Sequence, residues 1–134
     1  MKLITKTLTL ALAAIIINVN AFAAVKIDKT TEKAREAVEA ASPDDWHTYA
    51  EAAEKCIKKE VNLKEAAEWI KKSVEIKETS YNLKVLGNYY VKNNLPEKAI
   101  EAYSKSIRLG KMDDDKYSDK ETQDKIVKLV RQLG

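Results

Sequence analysis

Cysteine, glycine, proline and histidine are all scarce in this chain, and each scarcity removes a class of structure or chemistry. A single cysteine, Cys56, leaves no internal disulfide to form, so the fold must stand on packing. Three glycines and two prolines, with no Asn-Gly or Asp-Gly pair, supply little of the turn chemistry that β-hairpins need. His47 is the one histidine, and no Gly-rich phosphate loop, paired-cysteine motif or His-x-x-x-His spacing occurs. Catalysis requires a nucleophile, a base or a ligand set in mutual reach. His47 and Cys56 stand nine residues apart, off any shared helical face. The sequence therefore reads as no enzyme, with no catalytic residue, metal ligand or cofactor to nominate.

What the chain does have is charge and helix formers. Of its 134 residues 34% are charged, and Ala, Glu, Lys and Leu dominate, which points to a single all-α domain. The first 23 residues read as a signal peptide. Lys2 and Lys6 precede an apolar run over residues 8–19, and Ala21-Phe22-Ala23 puts small residues at the cleavage positions, so cleavage is expected after Ala23. A membrane anchor is the weaker alternative, because Asn18 and Asn20 interrupt the run short of the roughly 20 residues a span requires. The expected product, residues 24–134, is periplasmic or secreted, without stable membrane insertion. Its net charge drops from +3 to +1 on loss of Lys2 and Lys6. Interspersed Glu and Lys at near-neutral charge argue against nucleic acid as a partner.

Six helical segments follow one another with little between them. The first covers about 31–41, with Thr30 or Thr31 as cap and Ala34, Val38 and Ala41 on one weakly apolar face. In Ser42-Pro43-Asp44-Asp45, Ser42 is placed to cap, Pro43 to enter the first turn and Asp45 to close a capping box. Trp46, Tyr49, Ala50, Ala53 and Ile57 then recur at helical spacing. Across from them Glu51 with Lys55, and Glu54 with Lys58, form pairs worth about 0.2–0.5 kcal/mol each. Asn62-x-x-Glu65 caps a third helix, whose face carries Leu63, Ala66, Ala67, Ile70, Ser73, Val74 and Lys77. Thr79-Ser80 opens a fourth bearing Tyr81, Leu83, Leu86, Tyr89 and Tyr90. A fifth starts near Pro96, buries Ala99, Ile100, Tyr103, Ile107 and Leu109, and is expected to stop at a left-handed Gly110. After an Asp-rich link, Ser118-x-x-Glu121 reads as a capping box for a closing helix over about 119–133, with Ile126, Leu129, Val130 and Leu133 apolar. Asp113-Asp114-Asp115 lacks the Gly and distant Glu of a calcium loop and reads as a solvated turn. Cys56 reads as a small buried side chain, with an intermolecular disulfide as the alternative.

One stretch repeats. Leu83-x-x-Leu86-Gly87-x-x-Tyr90 is followed by Ala99-x-x-x-Tyr103, and 33 residues earlier stand Ala50-x-x-Ala53-Glu54-x-x-Ile57 and Ala66-x-x-x-Ile70. Gly87 is small enough to let a second helix lie close, with Ala99 meeting it from the opposing helix. Residues 47–113 thereby resemble the tetratricopeptide-repeat family, with copies at about 47–79 and 80–113; the first copy departs from the pattern where Glu54 replaces the small residue. The resemblance implies antiparallel helical hairpins stacked as a short TPR-like array, with the first and last helices as caps.

The resemblance also implies a scaffold that binds a protein or peptide in a groove lined by the first helix of each repeat. Carried onto this chain, the groove residues are Glu51, Lys55 and Lys59 in the first copy and Tyr81, Lys84, Asn88 and Lys92 in the second. Lys84 and Asn88 are four apart and share a face; some family members clamp a C-terminal carboxylate with such a pair. Two alternatives stay open. One is a structural, self-associating homodimer joined through repeat ends or Cys56. The other is a small-molecule or lipid pocket among Trp46, Trp69 and the tyrosines, whose helical spacing favours core packing instead.

Overall fold

The computed structural model describes residues 27–134; the leader expected at 1–23 lies outside them. Six helices account for nearly all of that span: α1 (Lys29–Ala40), α2 (Trp46–Lys59), α3 (Leu63–Ile76), α4 (Ser80–Lys92), α5 (Pro96–Asp113) and α6 (Lys120–Leu133). The described residues contain no strand, and no helix among them is long and apolar enough to cross a membrane. The fold is all-α, as composition and periodicity imply.

Helix starts are set by side chains that satisfy otherwise orphaned N–H groups. Asp28, not Thr30 or Thr31, caps α1, accepting from the Thr30 N–H at 2.8 Å. Asp45 rather than Ser42 caps α2, accepting from both the N–H and the hydroxyl of Thr48. Asp119 rather than Ser118 does the same for α6 through Thr122. In each case a carboxylate one to three residues from the expected cap prevails, since its charge also complements the positive end of the helix dipole. Thr79 and Asn82 form a true capping box on α4, and Pro96 takes the first turn of α5. Asn62 does occupy the cap position of α3, but its side chain donates to Glu65 instead of bonding the helix backbone.

Helix ends depart further from expectation. Gly110 is not a stop: α5 runs on to Asp113, and Gly110 is buried within it. A Cβ there would lie 2.3 Å from the Tyr117 ring, so the glycine is a landing place for a side chain and not a left-handed turn. The left-handed stop is made by Glu60 at the end of α2, with φ 55°, whose N–H returns to the carbonyls of Cys56 and Ile57.

The helices pack mainly on their sequence neighbours, α2 on α3 and α4 on α5 most extensively, with α1 against α2, α6 against α5, and α4 touching both α2 and α3. Two buried serines, 33 residues apart, fix the directions. Ser73, late in α3, donates to the carbonyl of Trp46 at the start of α2 at 2.6 Å. Ser106, late in α5, donates to the carbonyl of Ser80 at the start of α4 at the same distance. Each pair of helices therefore runs in opposite directions. Asn82 links the pairs, its Nδ2 donating to the Ser73 hydroxyl and to the Lys77 carbonyl.

One apolar cluster lies where α1, α2, α3 and α4 meet, built from Ala34, Ala50, Ala53, Cys56, Ile57, Ala66, Trp69, Ile70 and Val85. A smaller one joins Ala99 and Tyr103 of α5 to Leu129 of α6, with Tyr90, Ile100 and Ile126 beside them. Helices of 12 to 18 residues are marginal alone. Burial of an Ile57 or Ile70 side chain contributes about 1.5–3 kcal/mol, and that cover comes only from neighbouring helices.

The neighbour of Gly87 is Tyr103, whose ring would lie 2.3 Å from an added Cβ. Tyr103 is fully buried and anchored by donation from its hydroxyl to Asn88 Oδ1, so it has no room to retreat. Gly87→Ala should gain about 1 kcal/mol of helix propensity yet lose about 1–3 kcal/mol to overpacking. Gly110→Ala faces Tyr117, whose hydroxyl also has a partner in Ser80 but whose ring is only half-buried and has solvent to move into. Urea unfolding midpoints should fall further for Gly87→Ala than for Gly110→Ala; a Gly87→Ala protein as stable as the parent contradicts this packing.

Candidate functional site

Polar contacts set α4 between α2 and α6. On one side the Tyr81 hydroxyl donates to Glu54 Oε2 at 2.9 Å, and Lys92 pairs with Glu60 at the helix ends. On the other, Lys84 pairs with Asp119 at 2.9 Å and Lys125 donates to Asn88 Oδ1 at 3.1 Å. Starts lie by starts and ends by ends, so the three helices run side by side in one direction. Between them opens a groove of about 620 Å³. Its floor is apolar, made by Ile57, Val91, Leu129 and the Tyr103 ring. Its rim carries Glu54 and Lys58 from α2, Lys84, Asn88 and Lys92 from α4, and Glu121, Lys125, Lys128 and Gln132 from α6.

The centre of the groove is an ion-pair and amide network. Burial alone would raise the Asp119 carboxyl, but the Thr122 N–H and hydroxyl and the Lys84 ammonium outweigh it and hold its pKa at about 2. Burial alone would lower Lys84, yet Asp119 and Glu121 keep its ammonium above the ordinary lysine value. Glu121 also pairs with Lys125 at 2.8 Å. Asn88 Oδ1 accepts from both Tyr103 and Lys125, while its amide nitrogen donates to no group among the described residues. Burial and the Glu121 charge push the Tyr103 phenol up to about 12, so it is a permanent donor.

Six of the seven sequence-derived groove residues divide between two grooves, and Tyr81 lines neither. Lys84, Asn88 and Lys92 line the groove just described. Tyr81 does not: its hydroxyl is committed to Glu54, and its ring stacks on His47 at 5.6 Å. Glu51, Lys55 and Lys59 line a second groove of about 520 Å³ between α1 and α2, together with Lys29, Lys33 and Lys58. The sequence reading passed over Glu54, Lys58, Val91, Glu121, Lys125 and Lys128. Treating α6 only as a cap hid the last three; the signal was Glu121-x-x-x-Lys125, a paired polar face beside an apolar stripe.

Lys84 and Asn88 do share a face, but Asp119 already supplies the carboxylate that the Lys84 ammonium would otherwise take from a ligand. Capture of a terminal carboxylate by this pair would have to displace the protein's own. Cys56 is buried, and burial pushes its thiol up, so it is neither a ready nucleophile nor accessible for an intermolecular disulfide. Asp114 turns back to accept from the Lys116 N–H. Among the described residues no cluster of three or more His, Cys, Asp or Glu side chains is placed to hold a metal. No protein-family model, curated protein or solved structure matches the chain.

Asp119 gives the groove an acid signature. Its folded-state pKa lies below the ordinary 3.8, so its contribution to stability is complete above about pH 4 and lost as the pH falls toward about 2. Asp119→Asn, which keeps an acceptor for the cap, should flatten the fall in stability over that window in denaturant titrations at stepped pH. At neutral pH it should destabilise by about 1 kcal/mol or less, through loss of the Lys84 ion pair and not of the cap. An unchanged acid limb in the variant contradicts the Lys84–Asp119 link.

Proposed function

We propose that this protein is an exported, TPR-like interaction module without chemistry of its own, binding a protein or peptide segment in the groove between α2, α4 and α6. The observation that carries the reading is that groove: three helices aligned side by side around an apolar floor, with Asn88 presenting an uncommitted amide donor and lysines at the rim. Two further features support a repeat. Ser73 and Ser106 make equivalent bonds 33 residues apart, and at the positions 33 residues before Gly87 and Tyr103 stand Glu54 and a fully buried Ile70, one larger and one smaller than its counterpart. The leader over residues 1–23 supports a periplasmic or secreted location.

A second reading, self-association, is favoured by α6, where Val127, Val130 and Leu133 stand about half exposed. An apolar face of this kind at the end of an array is a natural seat for a second copy. Cys56 takes no part in such a dimer.

Panning a displayed random-peptide library against the purified protein tests the leading reading. Enriched peptides should shift the amide resonances of Asn88, Val91 and Lys128 and leave those of α3 unmoved. Failure to enrich any peptide, or shifts confined to Val127 and Val130, contradicts it in favour of the dimer.

A further inference from the structure

Charge is segregated on this molecule to a degree its composition conceals. Lys2, Lys6 and Lys26 lie before residue 27, so the described residues carry 21 bases and 21 acids, a net charge of zero. Yet the two grooves that share Lys58 are lined by nine lysines and only three glutamates, Glu51, Glu54 and Glu121. Outside the two linings the described residues hold 12 bases and 18 acids, of which Asp119 and Glu60 reach in to pair with Lys84 and Lys92. A neutral body with one basic, recessed face produces a local field that total charge does not report.

The lysines differ in commitment. Lys84 and Lys125 are tied to Asp119 and Glu121, Lys58 to Glu54, and Lys92 to Glu60. Among the described residues, Lys29, Lys33, Lys59 and Lys128 are within ion-pair distance of no carboxylate. Three of these uncommitted ammonium groups flank the α1–α2 groove and the fourth stands at the far side of the α4–α6 groove. Free cations thus lie at both ends of one continuous surface, and an apolar floor with the partly exposed Val91 lies between.

We infer that this face is a docking surface for an internal acidic, amphipathic protein segment, its carboxylates reaching the uncommitted lysines and its apolar side chains entering the groove floor over Val91 and Leu129. The inference rests on the reading of the groove as a peptide site and deepens it by naming the partner's chemistry. Three observations select this occupant. A chain terminus is disfavoured because Asp119 already occupies Lys84. A nucleic acid finds no arginine in the lining and no exposed ring to stack on, since Tyr103 is buried. A flat anionic bilayer does not reach a recessed floor, whereas a side chain does.

The test uses the full chain and three fluorescent probes in anisotropy titrations: an acidic Leu/Glu amphipathic peptide of about 15 residues, the same peptide with Gln for Glu, and single-stranded DNA of similar charge. The acidic peptide should bind at least about tenfold tighter than the Gln peptide, and its affinity should fall by about tenfold or more between about 50 and 500 mM salt. Lys59→Glu with Lys128→Glu, two exposed changes that break no ion pair, should abolish the preference while leaving the helical circular dichroism unchanged. Equal binding of the acidic and Gln peptides overturns the inference and leaves a peptide site standing. Tighter binding of DNA than of either peptide overturns it as well, and binding of none of the three overturns both the inference and the groove reading.

Discussion

Small residues at the helix contacts are the constraint on which everything else in this structure rests. Ala50, Ala53, Ala66 and Ala99 are wholly buried, and Gly87 leaves its space to Tyr103. Helices meeting at such positions come close enough for their few large side chains to fill the remaining volume. Without that approach Ser73 and Ser106 would not reach the carbonyls of Trp46 and Ser80, and no stripe on a helix of this length would be covered. The two helix pairs meet the constraint differently. One sets Gly87 against Tyr103; the other has Glu54 at the position 33 residues before Gly87, and its carboxylate turns out to accept from the Tyr81 hydroxyl.

The groove is a product of the same packing. Once α4 lies on both α2 and α3, and α6 is drawn to α4 by Lys84 with Asp119 and by Asn88 with Lys125, the three aligned helices leave a recess that their own side chains do not fill. Tyr103 serves both purposes. Its ring is core for α4 and α5, and its hydroxyl fixes the amide of Asn88 at the groove wall. Charge placement follows from geometry too, because i,i+4 pairs along α2 and α6 satisfy acids in the groove and leave the lysines at its ends unmatched.

Helix number, order and most buried faces were legible in the sequence because they depend on periodicity and on local composition. Cap identity was less so: Asp28, Asp45 and Asp119 each took a role that the reading gave to a neighbouring Thr or Ser, since hydroxyl and carboxylate compete for the same N–H groups and the charged acceptor is stronger. A glycine at the end of an apolar run signals a stop and a contact equally well, and for Gly110 only Tyr117, beyond the helix, distinguishes them. Lys84, Asn88 and Lys92 lie along one groove as their helical spacing implies, whereas the ion pair that commits Lys84 has no signal in that spacing, because Asp119 lies 35 residues away at the start of α6.

Mutual cover by neighbouring helices has one direct consequence for opening. Asn82, Tyr81 and the contacts of α4 with α2 and α3 tie the two helix pairs together, so they should open as a single unit. Native-state amide hydrogen exchange in rising denaturant measures this helix by helix. The protected amides of α2, α3, α4 and α5 should share one opening free energy, with α1 and α6 opening below it. Opening of α2 with α3 at a free energy well separated from that of α4 with α5 would contradict it.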